Sequence, residues 1–338
     1  MSDSNALNAE GPDVSDDAAS TASSEPVIRR YPPLPGLLES VTALAMRTSL
    51  RVFFKSIMKP PLPPQLQRAV LHMLSVVMPG TGGVTVEKTK VGNMTAERLT
   101  PKGLSKPQHA VLYLHGGAFV AGSPRSHRSI TSRLAKFANC QVLAIHYRRV
   151  PEAPFPAQIN DSVTGYKQLL KDGFKPENIA IAGDSAGGTL TLLVTKALEL
   201  EGIAGPKCLV MMSPAFDAKL DSQSVKKYRK LDPMINIEWG HQGFTWYRPQ
   251  HDHPLAFPKR QNLATLPPTL VQVGEIEVLH DDSVWLAHAA KRFDRQVELE
   301  IYEGRWHVFQ IHAGIMPSAT LALQRQAAFL KKQWGVVS

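Results

Sequence analysis

Ser185 stands between two glycines in the stretch Ile179-Ala180-Ile181-Ala182-Gly183-Asp184-Ser185-Ala186-Gly187-Gly188. An alternating run of small and β-branched apolar residues leads into it, and Thr189 to Leu200 continues with apolar residues at helical spacing. The pattern predicts strand, sharp turn and helix, with Ser185 at the apex, its hydroxyl exposed, and Gly183 and Gly187 leaving room that a Cβ would fill. A serine so placed is a candidate nucleophile. Gly-x-Ser-x-Gly alone arises by chance about one time in ten in a chain this long, so the reading requires a base, an acid and N–H donors elsewhere in the sequence.

The donors are sought in Leu112-Tyr113-Leu114-His115-Gly116-Gly117-Ala118-Phe119-Val120, where consecutive glycines after a strand can turn backbone N–H groups outward. Acyl transfer needs such groups to stabilise an oxyanion, and each contributes about 3–4 kcal/mol in the transition state. Gly116 and Gly117, with the N–H of Ala186 just after the nucleophile, are the expected oxyanion hole. The base is expected on a loop after the last strand, where Glu303-Gly304-Arg305-Trp306-His307-Val308 places His307. The acid is expected after the preceding strand, in Gly274-Glu275-Ile276-Glu277-Val278-Leu279-His280-Asp281-Asp282, where four carboxylates compete. Asp281 and Asp282 immediately precede a helical run and have helix capping as a sufficient role. Glu275 and Glu277 need another explanation; Glu277 is the preferred acid and Asp281 the reserve.

These residues need a scaffold. Strands are predicted at 84–91, 94–99, 109–114, 141–147, 179–182, 208–212, 269–273 and 297–302, with helices between most of them. The alternation from residue 109 onward implies that the eight strands form a largely parallel, right-handed α/β sheet covered on both faces. Residues 84–215 and 259–338 form the two parts of this core. The pattern breaks over 216–258, a charged and aromatic insertion with Trp239, Phe244, Trp246 and Tyr247. Residues 29–83 carry two short helical stretches around a Pro-rich hinge (Pro60, Pro61, Pro63, Pro64), with Arg47, Arg51 and Lys55 interleaved. A basic amphipathic helix can lie on a membrane. A lid is favoured here, because the following domain supplies something for the pair to pack on. Residues 1–28 hold six acidic residues and no Lys or Arg, the composition of a disordered tail.

Composition narrows the function. The 338 residues are 43% hydrophobic and 20% charged, as in globular proteins. No apolar run reaches the roughly 18 residues needed to span a bilayer, and Met1-Ser2-Asp3 opens no secretory signal, so a cytoplasmic location without stable membrane insertion is expected. The net charge is +9, and +15 without the acidic tail. Its one dense run, Lys226-Lys227-Tyr228-Arg229-Lys230, reads as a solvated face, since no nucleic-acid module accompanies it. Cys140 and Cys208 are no disulfide framework. His251-Asp252-His253, with His241 nearby, lacks a third ligand of convincing spacing for zinc. No metal or cofactor is expected; the partner is a small-molecule ester, and a homodimer is left open.

His115-Gly116-Gly117-Ala118, Gly183-Asp184-Ser185-Ala186-Gly187-Gly188 and Trp306-His307-Val308-Phe309 together resemble the hormone-sensitive-lipase-type, or family IV, esterases of the α/β-hydrolase fold. Tyr147-Arg148, Pro151-Glu152 and Pro154-Phe155-Pro156-Ala157 resemble the same family. The order nucleophile, acid, base also matches the hydrolase sheet and not the chymotrypsin or subtilisin arrangement. The resemblance covers about 84–334 and implies hydrolysis of carboxylic esters, usually of short acyl chains, under a helical cap. Ala118 replaces a third glycine, a change expected to matter little if the first two glycines supply the donors. Glu277 stands where many members carry Asp, and Arg149-Val150 where Leu-Ala is common. Ligand-binding receptors that resemble the family lack the catalytic histidine, whereas His307 is present. Amide, lactone and acyl-transfer chemistry would use the same site.

Overall fold

The computed structural model describes residues 25–336, apart from residues 77 and 79. Among these residues, nine strands form one sheet: β1 (Val27–Tyr31), β2 (Val84–Val91), β3 (Met94–Pro101), β4 (Ala110–Leu114), β5 (Gln141–Ile145), β6 (Ile179–Asp184), β7 (Cys208–Met212), β8 (Thr269–Gly274) and β9 (Val297–Tyr302). Their order is β1-β9-β8-β7-β6-β4-β5-β3-β2, with only β3 running against the rest.

The eight strands expected from the sequence are all present, and β1 is the addition. It pairs in parallel with β9, Val27 opposite Glu298 through Tyr31 opposite Tyr302. Its five residues are largely exposed, so no apolar alternation marks it. The edge is defended by charge: Arg29 pairs with Glu298 at 2.7 Å, and Arg325 lies over the Tyr31 ring at 3.4 Å. The acidic tail expected over 1–28 therefore ends inside a strand; its first 24 residues lie outside the described residues.

The central strands are buried on both sides, which is why they read as near-continuous apolar runs. In β4, Leu112 and Leu114 pack into one layer with α4 (Ala157–Lys171), α5 (Ala186–Leu200) and α8 (His280–Lys291). Val111 and Tyr113 face the other layer, with α3 (Arg128–Ala138) and α9 (Pro317–Gln333).

Two further regions sit over the carboxyl ends of the strands. The N-terminal one contains α1 (Leu37–Ser49), a π-helical turn over Leu50–Lys55, and α2 (Pro64–Leu74); the insertion contains α6 (Gln223–Tyr228) and α7 (Ile237–Tyr247). They are pinned by side chains rather than by sheet hydrogen bonds. Gln67, fully buried, accepts from Trp239 Nε1 and donates to Gln242. Glu39, buried on α1, bonds Arg305 at 2.6 Å and the Ser318 N–H at 3.0 Å. Lys55 donates to the carbonyls of Arg229 and Asp232, and Arg68 pairs with Glu152 at 2.6 Å. Among the described residues, no helix is long and apolar enough to cross a membrane.

Candidate active site

Ser185 is the single residue between β6 and α5, and it holds φ +53° and ψ −121°. For a residue with a Cβ such a conformation costs about 1–3 kcal/mol and persists only where the surroundings over-determine it. They do so here by close backbone approach. A Cβ on Gly187 would collide with the Leu114 carbonyl, and one on Gly183 with the Gly187 carbonyl. The Ser185 N–H is tied to Met212 O at 2.8 Å. The glycine spacing is thus a consequence of packing the elbow against β4.

His307 follows β9 and is 2% exposed; Glu277 follows β8 and is fully buried. Their side chains meet, His307 Nδ1 lying 3.3 Å from Glu277 Oε1. The other carboxylate oxygen accepts from Ser213 Oγ at 2.9 Å and the Gly274 N–H at 2.8 Å. Burial opposes a charge on His307. The Glu277 hydrogen bond and the negative charges of Glu277, Asp232 and Asp184 outweigh it and hold the imidazole pKa above its ordinary value. Ser185 and His307 line one cleft together with Gly117, His127 and Asp184.

The reserve acid lies elsewhere. Asp281 sits in the first turn of α8, its carboxylate accepting from the Ser224 N–H at 2.7 Å at the start of α6. Asp282 accepts from the N–H groups of Phe216 and Asp217 and pairs with Lys259 at 2.8 Å. Neither caps its own helix: both fasten the insertion to the core. Glu275 accepts from the Gly304 N–H at 3.0 Å.

The oxyanion-hole expectation is corrected at Gly116. Its N–H donates to Asp184 Oδ1 at 3.0 Å, an oxygen that also accepts from Tyr113 Oη at 2.7 Å. The other Asp184 oxygen lies 3.2 Å from His127 Nε2. Burial works against the Asp184 charge, but His127, Tyr113 and the Gly116 N–H hold its pKa below the ordinary value. Among the described residues the N–H groups of Gly117, Ala118 and Ala186 have no internal acceptor. Gly117, Ala118 and Phe119 take φ of +115°, +54° and +62°, which turns this backbone away from the strand direction. Ala118 thus moves from a neutral replacement to a candidate donor, a role that sequence cannot reveal because it depends on which N–H the buried aspartate takes.

Two other groups escaped the sequence reading. Ser213, at φ +48° just after β7, donates to Glu277 while its Oγ accepts from the Val308 N–H at 3.2 Å, so one hydroxyl ties the acid loop to the base loop. Asp232, fully buried in the insertion, accepts from the N–H groups of Met234, Ile235 and Val278. Burial above all pushes its pKa up, and His307 opposes the shift. The Asp-Pro turn at 232–233 was the available signal. His251 and His253, weighed as ligands, pack against Phe257 and Phe155.

The walls of the cleft are apolar: Leu50, Phe54, Leu71 and Leu74 from the N-terminal segment, Met234 and Ile235 from the insertion. His312 joins them, and burial lowers its pKa to about 4, so it is a neutral wall. A second, smaller lobe also reaches Ser185, bounded by Ala118, Phe119, Leu220, Trp239 and Phe244.

A family model described as the alpha/beta hydrolase fold matches residues 111–311. An acetyl-hydrolase from Streptomyces hygroscopicus is 38% identical over 249 residues, covering 72% of this chain and 82% of the relative. An esterase from Acinetobacter venetianus is 34% identical over 271 residues, 79% of this chain and 89% of the relative. The crystal structure of an esterase from the bacterial hormone-sensitive lipase family superposes with a TM-score of 0.81 at 34% identity, covering 89% of this chain and 100% of that one. A crystal structure of EstE5 soaked with p-nitrophenyl butyrate gives a TM-score of 0.80 at 32% identity, with 87% and 99% coverage. The chain belongs to the α/β-hydrolase family, in its hormone-sensitive-lipase-like branch, and is an enzyme of the carboxylesterase class.

Proposed function

We propose that the protein hydrolyses carboxylic esters of short to medium acyl chains through an acyl-enzyme, with Ser185 as nucleophile, His307 as general base and Glu277 as the acid that orients it. The observation that carries this reading is the Glu277–His307 contact at 3.3 Å beside a serine held at the elbow of the same cleft. His307 takes the Ser185 proton as Oγ attacks the ester carbonyl, then returns it to the departing alkoxide; water repeats the cycle on the acyl-enzyme. Glu277 keeps the proton of His307 on Nδ1, leaving Nε2 to face the serine. The developing oxyanion is received by the N–H groups of Gly117, Ala118 and Ala186, the last at the positive end of the α5 dipole.

The two lobes divide the ester. The general acid must stand beside the leaving oxygen, so the cleft lined by His307 takes the alcohol side. The smaller lobe, next to Ala118 and Ala186, takes the acyl side. The names of the relatives agree with a small acyl group: one is an acetyl-hydrolase, and another was soaked with a butyrate ester. Residues 29–83 and 216–258 act as the cap.

The deciding experiment is turnover of p-nitrophenyl acetate through decanoate by the wild type and Ser185→Ala. The variant is expected to lose about 10⁴-fold or more in kcat/KM on every ester, with activity falling beyond medium chains in the wild type. Turnover retained in Ser185→Ala would remove the nucleophile assignment.

A further inference from the structure

A surface helix of a globular protein ordinarily turns its apolar stripe to the core. In α1 the stripe points outward. Leu37, Leu38, Val41 and Leu44 follow one another at helical spacing and are exposed, Leu37 by 80% and Leu44 by 68%. Val52 and Phe53 continue the surface on the π-helical turn, Phe53 by 61%. The inward side of α1 carries instead the buried Glu39 bonded to Arg305. The inner face of the next segment, through Leu50 and Phe54, lines the cleft. The stripe is thus not a core face left uncovered, because the helix has another way of being held.

The charge around the stripe is one-sided. Glu39 is the only carboxylate in 37–76, and it is buried. Arg51 and Lys59 are exposed. Arg51 donates to Leu231 O at 3.0 Å and Lys55 to Arg229 O at 2.7 Å, which brings the basic run at 226–230 alongside the stripe. Lys226, Lys227, Arg229 and Lys230 of that run are all exposed. Since Arg51 and Lys55 bond carbonyl oxygens, their positive charge is not cancelled there. Glu275 faces Lys227, Asp232 and Glu238 face Lys55, and Asp221 and Glu238 are the exposed carboxylates flanking the run, too few to balance the seven cations at 51, 55, 59, 226, 227, 229 and 230.

The geometry points to an anionic lipid surface as the partner of this face: the apolar stripe enters the acyl boundary while the flanking Lys and Arg side chains meet acidic headgroups. A second copy of the chain fits less well, because two-fold pairing of this patch sets its cations against themselves. Residues 1–24 carry the complementary charge, but Met1, Leu7 and Val14 are the only large apolar side chains they offer to the stripe. The contact is peripheral and involves no spanning helix.

The test is flotation of the full chain with vesicles of phosphatidylcholine alone and of equimolar phosphatidylcholine and phosphatidylglycerol. The wild type is expected to float with the mixed vesicles, to bind neutral ones at least about tenfold more weakly, and to be released by 1 M salt. Leu44→Ser/Phe53→Ser and, separately, Lys226→Gln/Lys227→Gln/Lys230→Gln should each lower the partition coefficient about tenfold or more, with p-nitrophenyl acetate turnover unchanged as the check on folding. Failure of the wild type to float, equal binding to both vesicles, or wild-type binding by both variants overturns the proposal. A concentration-dependent dimer lost in Leu44→Ser/Phe53→Ser, with no vesicle binding, assigns the face to a second copy and overturns it as well.

Discussion

The elbow and the lid are held in place by different physics. At the elbow, Gly183, Gly187 and Gly117 let backbone approach backbone so closely that a single Cβ would collide with a carbonyl. Ser185 is held there at φ +53° and ψ −121°. Over the cleft, by contrast, α1 and α2 are fixed by discrete side-chain anchors: Glu39 on Arg305, Gln67 on Trp239, Lys55 on two carbonyls and Arg68 on Glu152. Steric exclusion cannot be released in steps, whereas anchors can be removed one by one. The proposed nucleophile therefore sits on sterically fixed backbone, and the helices over the cleft rest on separable side-chain anchors.

The comparison breaks most visibly at the acid. In the proposed mechanism Glu277→Gln removes the group that orients His307 and should lower kcat about 10³- to 10⁴-fold with little change in KM; steady-state kinetics on p-nitrophenyl butyrate checks this. Glu39→Gln strikes the lid instead. It leaves Arg305 buried without its charge partner, which costs about 3 kcal/mol of stability in thermal or urea unfolding. Because Arg305 lies two residues before His307, KM and kcat should both worsen, and Glu39→Asp should recover part of each. Unaltered stability in Glu39→Gln would mean that the pair does not anchor α1.

Gly243→Ala joins the two regions. The new Cβ would lie 2.6 Å from the Ala118 carbonyl, so α7 must shift or push the oxyanion loop. A loss in kcat of about tenfold is expected, smaller than at Glu277 because the loop can adjust. Asp281→Asn, whose side chain meets Ser224 of the insertion and the neighbouring His280, should stay within about threefold of wild type; a loss comparable to that of Glu277→Gln would transfer the acid role to Asp281.

The pH profile gives the finest reading. His307 acts as a base only when neutral, and its pKa is raised. Activity is therefore lost as pH falls through a value above the ordinary histidine pKa of about 6.5. Taking away the Glu277 carboxylate removes the main opposition to burial, so the residual activity of Glu277→Gln should have its acid limb at lower pH. An unmoved limb would show that another group sets it.

Ser185, His307 and Glu277 could be proposed from the sequence because each follows a strand, where a buried apolar run gives way to glycines and polar residues. The central strands were legible for the same reason. Strand β1 was not, since its exposed residues carry no alternation. Asp281 and Asp282 misread as caps because helix-start composition looks the same whether a carboxylate serves its own helix or another segment's N–H groups.

Local pattern alone determined the α/β class and the strand, turn and helix around Ser185, and it is the ground on which the order Ser185, Glu277, His307 and a cap are proposed. These follow from chain-neighbour spacing: period two in strands, 3.6 in helices, glycine where a Cβ has no room. The tertiary structure decided which N–H groups stay free and which carboxylate faces the imidazole. It also decided which side of α1 meets solvent. Each of these depends on a partner far along the chain: Asp184 for Gly116, Ser213 for Glu277, Arg305 for Glu39. A hydrogen bond to a distant residue leaves no period in the sequence around either of its ends.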